Sequence, residues 1–207
     1  MGPSKKAQKT KERILKAAIE IFSEKGYSAA RTSEIAKKAG VAEGTIFRYF
    51  PKKKDLLHEI VLEAIDTFGE IIALSSLKKV VEENKEKSLE EFLKAIVLDR
   101  VKIFNNYFNL AKVVFYEMQF HEDVRKMFVD KIAKKAVNLG KEIFGERQEM
   151  GDLKDIDLLI AARSFMGMVF IMLIQKQFLP EVSTTNDFEK EIETVIDIFL
   201  NGVKKRD

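Results

Sequence analysis

Residues 32–57 read TSEIAKKAGVAEGTIFRYFPKKKDLL, and this stretch decides the fold of the N-terminal part of the chain. Apolar residues recur at helical spacing on both sides of Gly40, which predicts two short helices joined by a tight turn. Thr32 is placed to cap the first of these helices, and Pro51 ends the second. The stretch therefore predicts a helix-turn-helix.

A longer amphipathic helix precedes this pair of helices. Between residues 11 and 25, one apolar stripe at helical spacing is formed by Ile14, Ala17, Ala18, Ile21 and Phe22. Thr10 is the expected N-cap of this helix, and Gly26 is the residue expected to end it. Residues 10–50 thus predict three helices, of which the first supports the other two.

The third predicted helix presents an outer face that suits the major groove of DNA. Its outer residues are small or carry hydrogen-bonding groups: Gly44, Thr45, Arg48 and Tyr49. Arg48 can donate two hydrogen bonds to a guanine edge, Thr45 can bond a base or a phosphate, and Gly44 lets the backbone approach closely. Solvated positions with no partner are the alternative for Arg48 and Tyr49. Ile46, Phe47 and Phe50 are expected to face inward. Contact with DNA is the alternative for Phe47.

Contacts to DNA phosphates are expected on both sides of this helix. Thr32 begins the preceding helix, where free backbone N–H groups and the helix dipole attract a phosphate, although it could act only as a cap. Lys52, Lys53 and Lys54 begin the following helix and can reach the DNA backbone. A solvated run of lysines is the alternative.

The distribution of charge also indicates a polyanionic partner. Residues 1–54 hold 14 Lys and Arg against 5 Asp and Glu, a net charge of +9, although the whole chain carries only +3. Residues 55–207 hold 22 against 28, a net charge of −6. A basic quarter joined to an acidic remainder suggests a polyanionic partner, either nucleic acid or an anionic membrane, and a solvated basic surface without a partner is the equally weighted alternative.

Residues 10–56 resemble the DNA-binding domain of the tetracycline-repressor (TetR) family of bacterial transcriptional regulators. The residues in register with the family pattern are Phe22, Gly26, Tyr27, Thr32, Ile35, Ala36, Ala39, Gly40, Val41, Gly44, Thr45, Tyr49, Phe50, Lys53 and Leu56. The resemblance implies an all-α protein with a DNA-binding domain at residues 1–54. It also implies a helical effector-binding and dimerisation domain at residues 55–207.

Three residues depart from the family pattern. Ala42 replaces the Ser or Thr that usually caps the recognition helix, so the cap comes from elsewhere or is weaker by about 1 kcal/mol. Phe47 stands where Tyr is common, so a phenol contact to DNA is absent. Lys52 stands where a capping Ser or Asn is frequent, which exchanges capping for phosphate affinity.

The remainder of the chain continues the helical pattern. A 3.6-residue period runs from Asp55 to about residue 83, and Ser88-Leu89-Glu90-Glu91 is a capping box that begins another helix. Further helices are predicted at residues 107–119, 122–145, 154–178 and 186–204, the last capped by Thr184 or Thr185. No segment alternates with period 2. The chain is therefore expected to have about nine helices and no sheet.

Aromatic and methionine side chains are concentrated in two of these helical segments. They can line an apolar pocket for a hydrophobic small molecule, with packed core as the alternative for each residue. The candidates for ligand binding are Phe104, Phe108, Phe115, Tyr116, Phe165, Met168 and Met172.

The last two predicted helices are the expected dimer surface, because this pair forms a four-helix bundle between subunits in the resembled family. The final helix carries one apolar stripe, formed by Phe188, Ile192, Val195, Ile196, Phe199 and Val203. The alternative is that each of these residues belongs to the core of its own chain.

Several function classes find no support in the sequence. The chain has no cysteine, and its two histidines, His58 and His121, are far apart, so we predict no metal, no cofactor and no catalysis. The N-terminus has no apolar leader segment. The longest apolar stretch, residues 164–174, is shorter than the roughly 20 residues of a membrane span, so a cytoplasmic protein without a membrane partner is expected.

These features predict a homodimeric repressor that binds a palindromic operator in double-stranded DNA and is released by a hydrophobic effector. Three alternatives stay open: an activator, a regulator without an effector, and a helical lipid carrier or enzyme with a vestigial DNA-binding domain.

Overall fold

A computed structural model describes the backbone of residues 5–70, 76–182 and 187–201, and the side chains of these residues except 65–70. The described residues form ten α-helices and no strand, which confirms the all-α prediction. The helices are α1 (Lys5–Lys25), α2 (Thr32–Ala39), α3 (Glu43–Tyr49), α4 (Lys53–Glu70), α5 (Ser76–Asn84), α6 (Leu89–Glu117), α7 (Glu122–Phe128), α8 (Lys134–Glu149), α9 (Leu158–Phe178) and α10 (Phe188–Asn201). A π-helical turn, Val129–Ala133, joins α7 to α8, and a short 3-10 turn, Pro180–Val182, follows α9.

The helix ends differ from the predicted ones at several places. Thr10 is not an N-cap, because α1 begins at Lys5 and the Thr10 hydroxyl donates to the Lys6 carbonyl at 2.9 Å. The helix predicted at residues 107–119 is the second half of α6, since neither Gly nor Pro interrupts residues 89–117. Asp187 caps α10 by accepting hydrogen bonds from two backbone N–H groups, while Thr184, Thr185 and Val203 lie outside the described residues.

The chain divides into two compact units. Unit 1 comprises Met1–Gly69 and Tyr107–Ile132, and unit 2 comprises Glu70–Asn106 and Ala133–Asp207. This division does not follow the boundary expected at residue 54. The reason is that the core of α1–α3 also contains apolar side chains from α4, α6 and α7, namely Leu56, Leu57, Ile60, Val61, Leu110, Val113, Val114 and Val124.

Unit 2 has its own apolar core, which contains a cluster of phenylalanines. The Phe165 ring lies 6.1 Å from the ring centre of Phe144 and 5.0 Å from that of Phe199. Phe92 of α6 and Ile192 of α10 are fully buried in the same core. α8, α9 and α10 therefore pack around the first half of α6.

The α9 helix is apolar over most of its circumference. Asp157 caps it by accepting a hydrogen bond from the Ile160 N–H at 3.0 Å. Among the described helices, α9 alone is long and apolar enough to cross a membrane by length and composition. The sequence did not predict this, because its longest apolar stretch, residues 164–174, is much shorter than the helix. One side of α9 packs into the core of unit 2, and the other side stays exposed along Ile160, Ser164, Gly167, Ile171 and Phe178.

Candidate nucleic-acid interface

The helix-turn-helix is built around a glycine in the left-handed region. Gly40 has φ 65° and ψ 41°, a conformation that side-chain-bearing residues rarely adopt. The Gly40 N–H donates to the Lys37 carbonyl at 3.3 Å, and the Val41 N–H donates to the Ala36 carbonyl at 3.0 Å. These bonds close the end of α2 and allow α3 to begin at Glu43.

The α3 helix turns Phe47 outward, which corrects the expectation that this residue faces the core. Ile46 and Phe50 are buried in unit 1, whereas Phe47 is 44% exposed. Ile46 and Phe50 are four residues apart and share one side of the helix, so Phe47, about 100° further round, falls outside it. Phe47 thus joins the outer residues Gly44 and Arg48, and the sequence pattern had assigned it to the wrong face.

The remaining outer residues of α3 lie at its margin. Thr45 and Tyr49 are half-buried, and the Tyr49 ring packs against the core of unit 1. The Arg48 guanidinium lies 5.4 Å from the Tyr49 ring centre and stays exposed. The outer face of α3 therefore consists of one exposed guanidinium, one exposed aromatic ring and an open glycine, with Thr45 and Tyr49 beside them.

Thr32 connects the two helices of the motif. The prediction that it caps α2 is wrong, because Thr32 is the first residue of that helix and Arg31 occupies the N-cap position. The Arg31 N–H donates to the Glu34 carboxylate at 3.2 Å. The Thr32 hydroxyl donates to the carboxylate of Glu43 in the first turn of α3. The hydroxyl predicted to approach a phosphate is thus engaged between α2 and α3.

No side chain caps the N-terminus of α3. Ala42 holds the N-cap position with extended backbone angles, and the Thr45 N–H donates only to the Ala42 carbonyl, at 2.8 Å. A serine at this position would supply the missing acceptor. We expect Ala42→Ser to stabilise the protein by about 1 kcal/mol and to raise the midpoint of thermal unfolding by roughly 2–4 °C. An unchanged or lower midpoint in calorimetry would contradict the need for a cap at α3.

The three neighbouring lysines that precede and begin α4 have three different environments. Lys52 is exposed, and its N–H donates to the Asp55 carboxylate at 2.8 Å, which caps α4. The Lys53 ammonium lies 4.4 Å above the Tyr27 ring and 3.4 Å from the Ser28 carbonyl, and burial lowers its pKa. Lys54 pairs with Asp123 at 3.2 Å. Of the three ammonium groups, that of Lys52 is the most open to a phosphate.

Cations without an ionic partner lie on and beside α2 and α3. Four exposed cations on and beside these two helices form no ion pair within 4 Å among the described residues, namely Arg31, Lys37, Arg48 and Lys52. In contrast, Lys25 pairs with Glu34, and Lys38 lies 2.7 Å from Glu20. Four unpaired cations are therefore available where the motif would meet DNA.

The side chains predicted to bind a ligand are divided between the two units. In unit 2, Phe104 packs edge-on against Phe170 with ring centres 6.5 Å apart. Of the other candidates there, Phe165 and Met172 are buried and Met168 is half-buried.

In unit 1, Phe108 is half-buried, whereas Phe115 and Tyr116 are exposed. Phe115 lies against Phe128, and Tyr116 lies 3.5 Å from where a Cβ on Gly26 would stand. Tyr116 therefore lies beside the end of α1, and Phe115 lies beside the end of α7.

The apolar stripe of α10, predicted to form the dimer interface, faces the core instead. Ile192 and Ile196 are fully buried inside unit 2, so their assignment to a subunit interface is wrong. Phe188, Val195 and Phe199 are half-buried and pack against the same core. Helical spacing identifies the apolar side of a helix, but it does not say whether the core or a second subunit covers that side.

Known proteins resemble both the N-terminal region and nearly the whole length of this chain. The family model described as bacterial regulatory proteins, tetR family, matches residues 14–60. The fatty acid metabolism regulator protein of Bacillus subtilis (strain 168) is 26% identical over 201 residues, which cover 93% of this chain and 95% of that protein.

The solved structures that resemble nearly the whole chain include two fatty acid regulators. The crystal structure of the transcriptional regulator FadR from Bacillus subtilis in complex with stearoyl-CoA has a TM-score of 0.67 at 26% identity, covering 93% of this chain and 99% of that one. The fatty acid degradation regulator FadR from Bacillus halodurans has a TM-score of 0.70 at 27% identity, covering 100% and 99%.

Proposed function

Because this chain is a transcriptional regulator with the N-terminal domain and the all-helical fold of the TetR family, we propose that it is a repressor controlled by a long-chain fatty acyl-coenzyme A. In this proposal the protein binds a palindromic operator as a homodimer in the cytoplasm. The outer face of α3, with exposed Arg48 and Phe47 flanked by unpaired cations, carries the proposal.

The proposed DNA contacts fall into two groups. Arg48 reads a guanine edge in the major groove, and Phe47 packs against thymine methyl groups. Lys52 and the N-terminal turn of α2 contact phosphates, which hold the motif in register without reading sequence. Gly44, Thr45 and Tyr49 border the groove, while Lys53 acts mainly by holding the loop before α2.

The proposed dimer forms through the exposed side of α9. This side places Ile160, Ile171 and Phe178 in line, with Ser164 and Gly167 between them, and small residues let a second helix approach closely. An apolar helix face of this length is unfavourable in water unless another surface covers it. A second copy is the occupant we propose, because one motif supplies one recognition helix whereas a palindromic site needs two.

The proposed effector follows from the relatives and from the apolar side chains of unit 2. The FadR structure from Bacillus subtilis is a complex with stearoyl-CoA and matches this chain over nearly its full length. Phe104, Met168 and Met172 provide the kind of apolar and flexible side chains that accommodate an acyl chain. Release from the operator requires only that the effector binds more tightly to the form with low DNA affinity.

Fluorescence anisotropy on an operator fragment tests the proposal. The fragment is first recovered from genomic DNA by its binding to the wild-type protein, and stearoyl-CoA is then titrated into the complex. We expect stearoyl-CoA to weaken operator binding by at least tenfold, while coenzyme A without an acyl chain has no effect. If no genomic fragment is bound, the DNA-binding function fails; if stearoyl-CoA changes nothing, only the effector assignment fails.

The exposed lysine before α4 gives a prediction about salt. We expect Lys52→Ala to weaken binding to all DNA sequences alike and to reduce the slope of log K against log salt by about 0.9 per subunit, or about 1.8 for a bound dimer that loses two phosphate contacts. Lys79→Ala is the matched control, since Lys79 is an exposed lysine of unit 2. Equal slopes for Lys52→Ala and the wild type would show that Lys52 does not contact DNA.

A further inference from the structure

A buried carboxylate at the end of α6 holds the loop that precedes the helix-turn-helix. Glu117 is 3% exposed, and its Oε1 accepts a hydrogen bond from the Tyr27 N–H at 3.0 Å. Tyr27 follows Gly26, which ends α1 with φ 76°. The bond therefore fixes the backbone at the point where the chain leaves α1 and turns toward α2.

The Tyr27 ring is held from two further directions. The Lys53 ammonium lies 4.4 Å from the ring centre, and the His121 ring meets it edge-on with centres 5.7 Å apart. His121 Nε2 also lies 3.4 Å from Glu117 Oε2. Burial, followed by the charge of Glu117, raises the pKa of Tyr27. Side chains from the end of α6, the loop after it and the start of α4 thus enclose one loop residue.

A second carboxylate, six residues after Glu117, holds the other flank of the motif. Asp123, in the first turn of α7, lies 3.2 Å from Lys54 Nζ and 2.7 Å from His58 Nε2. Desolvation raises the pKa of Asp123, but the hydrogen bond and charge of Lys54, with a smaller contribution from the contact with His58, outweigh it and bring the pKa to about 2. Lys54 and His58 lie in the first two turns of α4, which follows α3 directly.

The two carboxylates therefore reach both flanks of the helix-turn-helix from one short segment, Glu117 before α2 and Asp123 after α3. Pulling Glu117 away would leave the Tyr27 N–H without its acceptor and the buried carboxylate with only His121 beside it, which is unfavourable. The loop before α2 consequently moves with the end of α6. α6 also reaches into unit 2, where Phe104 lies on the same helix.

We propose that Glu117 and Asp123 are positioning residues that couple α6 to the helix-turn-helix and set the affinity of the motif for its operator. This inference rests on the proposed function, in which an effector changes operator affinity. The contact made by Glu117 is the stronger of the two because its carboxylate is buried, and the contacts made by Asp123 are weaker because its side chain is half-exposed. Neither residue touches DNA in this proposal.

The test compares four variants with the wild type. Glu117→Leu removes the acceptor of the Tyr27 N–H, whereas Glu117→Gln retains an oxygen acceptor and serves as the conservative rescue. Asp123→Asn weakens the second hold at a half-exposed position, so that the fold is retained. Glu122→Gln is the matched control, because Glu122 neighbours Asp123 but pairs with Arg125 of its own helix.

Two readouts separate coupling from simple loss of structure. Amide hydrogen exchange at Tyr27 directly reports the hydrogen bond from the Tyr27 N–H to Glu117, and we expect the exchange to accelerate at least tenfold in Glu117→Leu. The ratio of operator Kd with and without stearoyl-CoA reports coupling. We expect this ratio to fall at least fivefold in Glu117→Leu and by a smaller, measurable amount in Asp123→Asn. The ratio in Glu117→Gln should lie closer to the wild-type value than that in Glu117→Leu. The ratio in Glu122→Gln should equal the wild-type value. The affinity of the free protein for stearoyl-CoA is expected to stay within threefold.

The outcomes distinguish this inference from the proposed function. If the wild type responds to stearoyl-CoA and all four variants respond equally, the coupling role is refuted. If the wild type does not respond, the effector assignment fails, and the inference is then decided without effector. In that case Glu117→Leu must both accelerate exchange at Tyr27 and change operator Kd at least threefold, and an unchanged value of either overturns it.

Discussion

Replacing Ile171 with aspartate is expected to convert the dimer to monomers and to weaken operator binding by at least about 100-fold. Ile171 lies in the middle of the exposed side of α9 and is 61% exposed in the single chain. An aspartate there would place a carboxylate without a partner in the centre of an apolar interface. Separated subunits would also lose the gain in affinity that linking two binding modules provides, typically 10²- to 10⁴-fold.

Light scattering at micromolar concentration measures the mass, and anisotropy measures operator affinity. Val137→Asp is the matched control, because Val137 is an exposed apolar residue of α8, a helix that contributes no residue to the proposed interface. It should remain dimeric with wild-type affinity. A dimeric Ile171→Asp protein would show that α9 is not the subunit interface, and a monomeric wild type would remove the dimer from the proposal.

Replacing Arg48 with alanine is expected to cost about 1–3 kcal/mol per half-site, or roughly 5- to 150-fold in affinity. The loss should be confined to operators with the preferred guanine, so the variant should lose its preference at one base pair of each half-site. The reason is that a guanidinium on the exposed side of α3 can donate to two acceptors on guanine, whereas alanine donates to none.

A panel of operators with one base pair changed at a time measures this preference. Lys52→Ala controls for the loss of one positive charge, because it should weaken all members of the panel equally. Should Arg48→Ala also weaken every member equally, Arg48 contacts phosphate and another residue reads the base. Phe47 is the first candidate for that role, since it is the exposed aromatic side chain of α3.

The helix-turn-helix could be predicted from sequence because its signals are local. Gly40 ends α2 and allows the turn, and the pair Ile46 and Phe50 identifies the inner side of α3. Each signal operates within a few residues, so helical periodicity and cap chemistry are sufficient to locate it. The absence of a cap at Ala42 was predictable for the same reason, and the structure confirms it.

The roles of other residues depend on partners that are distant in the sequence. Lys52, Lys53 and Lys54 are identical in chemistry, yet Tyr27 and Asp123 give two of them other partners. Periodicity likewise found the apolar side of α10 but could not show that the core of unit 2 covers it. The contact from Glu117 to Tyr27 joins residues 90 positions apart, and no local pattern announces it.

The discontinuity of unit 1 has a consequence for the protein during its synthesis. The core around α1–α4 is completed by Val113, Val114, Val124 and Ile132, which come later in the chain. Roughly 60 residues separate the end of the first segment of unit 1 from the end of its second segment. Bacterial ribosomes need about 3–13 seconds to translate a stretch of this length. During that interval α3 has already been synthesised, but the later residues whose side chains complete the core beneath it have not. A nascent chain is therefore unable to occupy an operator with full affinity until most of its length has been translated.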